Sequence, residues 1–261
     1  MIGDQMRKSK VLEKMRAGKT ATCFKTNFTE ARIVEMIGLA GFDCVWTCYE
    51  HCGNDLAAIE RQIYAAKATD MDIVVRVSKG SYSDFIRPLE MDATGIMVPH
   101  LMSAEEARYI SRMTKFHPVG RRPADGGNAD GGFLFYPPEK YMAESNKEKF
   151  VICQIEDPEA MDELEEIAQV DGYDMLFFGP GDYSHSLGIP GQMKNEKVLA
   201  AWKKVAEVAL KYGKLAGTVA NPNNVVQLHD WGYRFLNMSS DVGILHTNLP
   251  KMLEVFDKIN E

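Results

Sequence analysis

The chain has 261 residues, 45% of them hydrophobic, with 37 acidic against 30 basic side chains and a formal net charge of −7. That supplies one sizeable core, and α/β barrels of this length form a single domain, here expected to be 1–261. Basic residues are scattered among acids, which excludes a nucleic-acid face; no run of eighteen apolar residues offers a membrane span, and the first nineteen residues lack the apolar stretch of a secretory signal.

An amphipathic helix over about 5–17 is expected first. The strand candidates then follow in order: 20–25, 43–48, 72–77, 95–98, 150–155, 174–178, 214–219 and 233–238. Helical periodicity separates them. Residues 30–40 carry Ile33, Ile37 and Ala40 before Gly41. In 158–170, Met161, Leu164, Ile167 and Ala168 share a stripe, with Asp157-Pro158 as cap and Gly172 as stop. Residues 196–212 place Val198, Trp202, Val205 and Val208 similarly, with Gly213 at the end. Eight such units without a linker predict a closed (β/α)8 TIM barrel with an extra N-terminal helix. An open doubly wound sheet would need a glycine-rich turn after the first strand, and "CFKTNFTE" has none.

The stretch 117–147, rich in Gly, Pro and Asp, reads as a long irregular loop. Its "DGGNADG" fragment does not fit a calcium loop, since Gly126 would fall on the first ligand position and no Glu closes it. Five Cys (23, 44, 48, 52, 153) form no C-x-x-C pair and read as reduced thiols of a cytoplasmic protein. Cys44, Cys48 and Cys52, with His51 among them, could hold zinc on a helix; "DCVWTC" reads instead as a strand entering a loop, where the thiols would not converge.

The chemistry centres on two acids. "CQIED" closes the fifth strand and "FFGPGD" follows the sixth, so Glu156 and Asp182 stand one strand–helix–strand unit apart. Both fall at the carboxyl ends of adjacent parallel strands, about 4.8 Å apart, on the face where barrel enzymes build their sites. Acids so close repel unless a cation lies between them, and a hard divalent ion such as Mg²⁺ suits one or two carboxylates. Gly179, Pro180 and Gly181 would let a substrate approach the backbone beside Asp182. Each acid taken singly also fits a cap or turn. Arg76, ending "IVVRV", fits either a strand-end salt bridge or a fork that grips a carboxylate and steadies an enolate. His51, in "CYEHCGND", fits a structural role or general acid–base work at the same mouth. His100 and His185 follow strands four and six, where either could line the site; His117 and His229 fall near helix ends.

The strings "GFDCVWTCYEH", "VVRV", "GIMVPHLMSAEEAR", "QIED" and "FFGPGDYSHSLGIPG" resemble the metal-dependent pyruvate aldolases of the HpcH/HpaI family over nearly the whole chain. The resemblance implies a TIM barrel, a homohexamer built from dimers, and Mg²⁺, Mn²⁺ or Co²⁺ as cofactor. It implies Glu156 and Asp182 as metal ligands, Gln154 and Arg76 on the keto-acid substrate, and His51 in a proton shuttle. Glu90 matches an aspartate that supports this histidine from a neighbouring subunit; alone it reads as a solvated helix residue.

Three departures stand out. Cys48 replaces a common aspartate, and a thiol carries no charge at neutral pH unless its pKa is strongly lowered. Glu90 lengthens the supporting arm. The segment "GRRPADGGNADGG" brings Arg121 and Arg122, which at the mouth would suit an acidic substrate. The implied reaction cleaves or forms a 4-hydroxy-2-keto acid from pyruvate and an aldehyde. Alternatives are a citrate synthase-like or acyl-CoA lyase-like condensing enzyme, or a ligand-binding barrel with altered catalysis.

Overall fold

The structure, a computed structural model, describes residues 6–260. Eight parallel strands close a barrel in sequence order: β1 (Ala21–Lys25), β2 (Cys44–Cys48), β3 (Asp72–Arg76), β4 (Gly95–Val98), β5 (Phe150–Ile155), β6 (Met175–Phe178), β7 (Leu215–Val219) and β8 (Phe235–Ser240). Each lies within about two residues of its sequence expectation. Two-residue alternation sorts the side chains into two cores. Ile73, Val75, Ile96, Val98, Val151, Cys153, Leu176 and Phe178 face the helices. Cys23, Cys44, Trp46, Val74, Met97, Phe150, Ile152, Met175, Phe177 and Phe235 fill the barrel interior.

The helices run α1 (Lys10–Arg16), α2 (Ala31–Leu39), α3 (Leu56–Ala68), α4 (Tyr82–Glu90), α5 (Ala104–Thr114), α6 (Pro138–Glu148), α7 (Glu159–Asp162), α8 (Leu164–Ala168), α9 (Pro180–Ser186), α10 (Glu196–Lys211), α11 (Val225–Asp230) and α12 (Asp241–Asn260). Gly41 (φ 91°) and Gly213 (φ 72°) follow α2 and α10 in the left-handed region, where a side chain would be strained.

Of the expected first helix, 5–17, residue 5 lies outside the described residues; the rest forms α1. Ser9 caps it by accepting the Leu12 N–H at 3.1 Å and donates to Asp72 Oδ2 at 2.7 Å. Asp72, at the start of β3, also accepts the Val11 N–H (2.9 Å) and faces Arg7 Nη1 (3.2 Å). Val11, Leu12 and Met15 join the interior core, so α1 stoppers the end of the barrel where the strands begin.

Two expectations are corrected. The helix over 158–170 is interrupted at Glu163, whose carboxylate accepts the Ala104 N–H at 2.9 Å, dividing it into α7 and α8. The region 117–147 is not structureless: it holds a 3-10 turn, Ala129–Leu134, and then α6. Its anchor is Arg122, paired with Asp130 at 2.7 Å with both side chains fully buried. The Tyr141 hydroxyl donates to the same Asp130 oxygen at 2.8 Å, and the guanidinium lies 4.7 Å from the Phe116 ring centre. Arg122 is therefore committed inside the protomer and does not offer its charge at the mouth.

Along α12, Val242, Ile244, Leu245, Leu249, Met252, Leu253, Val255, Phe256 and Ile259 are all exposed, an apolar surface this protomer leaves uncovered.

Candidate active site

The interior residues of each strand fall on alternate positions, and continuing that alternation to the carboxyl ends delivers the site. In β1 it runs 21, 23, 25; in β2, 44, 46, 48; in β3, 72, 74, 76; in β5, 150, 152, 154 and then 156 just beyond. Lys25, Trp46, Cys48, Arg76 and Gln154 thus come to the same end. A cavity of about 440 Å³ opens there, lined by Lys25, Trp46, His51, Arg76, Gln154 and the run Gly179–Asp182.

Arg76 is buried, and register pairs it with Cys48 on β2. Its Nε and Nη2 donate to Cys48 Sγ at 3.3 and 3.2 Å, and Nε lies 3.0 Å from Glu50 Oε2. Beneath it the guanidinium stacks on Trp46, 5.0 Å from the ring centre, and Lys25 Nζ lies 5.1 Å from the same ring. Trp46 in turn meets Phe177 edge-to-face at 5.6 Å. The Nη1 of Arg76 has no hydrogen bond among the described residues, leaving one donor of the fork for a ligand.

Cys48 does not leave His51 without a counter-charge. Glu50 Oε2 lies 3.3 Å from His51 Nε2, so the carboxylate two residues after Cys48 stands in counter-charge range of the ring. Cys48 fixes the backbone instead, accepting the His51 N–H at 3.3 Å. The His51 side chain is 56% exposed, open to solvent protons.

Glu156 is only 1% exposed. Its Oε1 accepts the His100 backbone N–H at 3.0 Å, and its Oε2 accepts from Gln154 Nε2. His100 adopts φ 50°, a left-handed backbone unusual for a side-chain-bearing residue, and this delivers that N–H. Burial pushes the Glu156 carboxyl up to about 7; the His100 N–H and imidazole pull it down, the charge of Asp182 raises it further, and Arg76 opposes. His100 Nδ1 meets Asp157 Oδ2 at 2.8 Å. Burial lowers the imidazole pKa, but the Asp157 hydrogen bond and the surrounding carboxylates outweigh it, and the net shift is upward.

Asp182 stands exposed in the first turn of α9, within the electrostatic reach of Glu156. Gly179 leaves room for the Glu156 carboxylate: a Cβ there would lie 2.6 Å from Glu156 Oε2 and 3.0 Å from Gln154 Nε2. Among the described residues, Gln154 Oε1 is buried without a partner. A hard divalent cation fits this set, with two carboxylates as donors, an orphaned amide oxygen beside them and a cradle that only glycine leaves open.

Glu90, at the end of α4, lies elsewhere. It is half-buried, and burial raises its pKa, with Arg122 opposing and Asp130 and Asp125 adding to the rise. His185, exposed on α9, does not line the cavity, nor do Arg121 and Arg122. Sequence reasoning passed over Lys25, Trp46 and Glu50. Their signal was available for the first two, since both occupy the inward alternate positions that also carry Arg76.

The sequence profile of the family described as HpcH/HpaI aldolase/citrate lyase matches residues 22–247. The chain is similar to a 5-keto-4-deoxy-D-glucarate aldolase of Klebsiella pneumoniae, 31% identical over 86% of this chain and 87% of that one. It is also similar to a hydroxypyruvate/pyruvate aldolase of Roseobacter denitrificans, 31% identical over 84% and 86%. Among solved structures it resembles a citrate synthase, at TM-score 0.86 and 26% identity over 95% of this chain and 97% of that one.

Proposed function

Because this chain belongs to the HpcH/HpaI aldolase/citrate lyase family, we propose that it is a divalent-metal-dependent aldolase that cleaves or forms a 4-hydroxy-2-keto acid, with pyruvate as one product. The observation that carries the reading is the buried Glu156 carboxylate, held near neutrality by burial and facing Asp182 and Arg76. Glu156 and Asp182 would hold Mg²⁺, Mn²⁺ or Co²⁺, which when bound supplies Lewis-acid polarisation of the keto group.

The chain's own residues do the rest. Arg76 presents Nη1 to the keto oxygen and stabilises the negative charge that collects there as the C3–C4 bond breaks. Cys48, Glu50 and Trp46 hold that guanidinium still, so little reorganisation accompanies the charge shift. His51, beside the Glu50 carboxylate, takes the proton from the C4 hydroxyl and passes it to solvent. Gln154 and the Gly179–Pro180–Gly181 turn position the pyruvyl unit, and Lys25 adds a second cation for its carboxylate. Glu90 acts, in this reading, across a subunit boundary. The uncovered α12 surface supports a homo-oligomer, with a hexamer the form expected of the family. Free cysteines accord with the cytoplasm, and no helix among the described residues is long and apolar enough to cross a membrane.

The direct test is exchange of pyruvate methyl protons into deuterated water after chelation and metal return. Exchange restored by Mg²⁺, Mn²⁺ or Co²⁺ is expected; its absence with all three removes the reading. A condensing enzyme is the second reading, favoured by the likeness to the citrate synthase structure. Turnover of oxaloacetate with acetyl-CoA, without pyruvate exchange, would select it.

A further inference from the structure

The end of the barrel where the strands begin carries a cavity that the proposed reaction does not use. It measures about 500 Å³ and lies outside the barrel wall, between the last turns of α5, the segment 118–121 and residues 169–171 after α8. Three arginines line it. Arg108 and Arg112 stand one turn apart on α5, and Arg121 comes from the segment that follows. All three are exposed, and none has an ion pair among the described residues. Their one side-chain hydrogen bond there runs from Arg121 Nη1 to the Gly120 carbonyl at 2.9 Å.

A basic residue in the last turn of a helix suits the helix dipole, which accounts for Arg112 alone. Like charges four positions apart repel, and the fold brings a third up to them. The Arg121 N–H donates to Arg112 O at 2.6 Å, and the Arg122 N–H to Lys115 O at 2.9 Å. Gly120 lets that segment fold onto the helix end: a Cβ there would lie 2.2 Å from Lys115 O and 2.8 Å from Ser111 O.

The floor adds an independent sign of a ligand. Ser111 lines the cavity at 4% exposure, and its hydroxyl is buried without a partner among the described residues. A helical hydroxyl can return to the carbonyl four residues back, as Thr114 does to Ile110 O at 2.7 Å. Ser111 does not, so a donor stays unspent in the floor. The third wall packs on the same residue: a Cβ at Gly172 would lie 2.8 Å from Ser111 Cβ and 3.2 Å from its Oγ.

We propose that this cavity binds a phosphorylated small molecule, at a site separate from the Arg76 cavity. Three arginines against one aspartate, Asp171, leave the lining with two net positive charges, which match a phosphate dianion. A monocarboxylate would leave most of these donors idle. A phosphoryl group accepts forked pairs from several guanidinium groups and a further bond from Ser111. Pro118 and Val119 supply an apolar rim for the body that carries the phosphate.

The test titrates inorganic phosphate into the full chain by isothermal calorimetry, with Mg²⁺ and saturating pyruvate present to occupy the Arg76 cavity. Acetate at the same ionic strength is the comparison anion, and the variants are Arg112→Gln, Arg121→Gln and Ser111→Ala. Both arginines are exposed, so the fold is retained, and thermal unfolding checks it. Saturable binding of one phosphate per chain is expected, with a Kd of about 1 mM or tighter. It should weaken about tenfold in each arginine variant and about threefold in Ser111→Ala. Ser111→Ala removes a hydroxyl without a partner, so it should lose phosphate affinity without melting earlier. No saturable binding, acetate binding as tightly as phosphate, or unchanged affinity in both arginine variants overturns the site.

Discussion

Replacing Gly179 with alanine puts a single methyl against the Glu156 carboxylate. The Cβ would sit 2.6 Å from Glu156 Oε2 and 3.0 Å from both Glu156 Cβ and Gln154 Nε2. The first contact is roughly 0.8 Å short of ordinary van der Waals separation, and Glu156 is buried, with both carboxylate oxygens already hydrogen-bonded. The backbone adds no strain, since φ at residue 179 is −102°. Overpacking of this kind costs about 1–3 kcal/mol, and each kcal/mol lowers the melting temperature by about 2–4 °C in a chain of this size. Displacing Glu156 should also weaken metal binding, by about 10–100-fold, the range seen when support of a ligand is disturbed. Gly181→Ala is the internal comparison, because a Cβ there meets only Met193 Cε, at 3.8 Å. Free Mn²⁺ measured by electron paramagnetic resonance during titration, alongside thermal unfolding, separates the two variants. If Gly179→Ala binds Mn²⁺ as the wild type does, or Gly181→Ala melts equally early, the account of a glycine-dependent cradle is wrong.

The raised pKa of Glu156 carries a sign. Its folded value of about 7 exceeds the ordinary 4.5, so the metal-free fold favours the protonated acid. The stability this contributes is present below about 4.5 and is lost as pH rises toward 7, at up to about 1.4 kcal/mol per unit. Cation binding requires the ionised form, so Mn²⁺ affinity should climb up to about tenfold per pH unit to pH 7 and then level; a flat profile from pH 5.5 to 8 would contradict it. Glu50→Gln removes the charge beside His51, and kcat for aldol cleavage should fall by about 10–100-fold, more than pyruvate exchange does; equal loss of both would point to damage at Arg76 instead. Leu249→Asp with Leu253→Asp places two charges on the uncovered surface of α12, and light scattering should report a smaller assembly than wild type; an unchanged mass would mean that this face is not the interface.

The strands could be read from the sequence because a barrel wall is buried on both sides, and runs such as "MLFF" and "FVICQI" show it. The segment holding α6 could not. Its buried positions are Tyr141, Ser145 and Glu148, which keep helical spacing but are polar, so no apolar stripe appears. Ser145 and Glu148 are satisfied by partners from distant sequence, Arg122 and the Ser9 N–H. The break at Glu163 has the same origin, a carboxylate drawn to the Ala104 N–H across 59 positions. At the site, the acids, the arginine and the turn follow from strand ends and spacing. The role of Glu50 does not, because it depends on how the loop after β2 folds the carboxylate back over Arg76 and His51.

The filled interior of the barrel makes it an electrical insulator with one open end. From the stopper of α1 upward, Met175, Phe177 and Trp46 form a buried apolar column beneath the guanidinium, and the Trp46 ring covers its lower face. Water normally screens a cation from all directions; here polarisable solvent lies on the mouth side alone. The field of Arg76 is therefore divided between Glu50 beside it and whatever enters from above, with solvent screening on one side only.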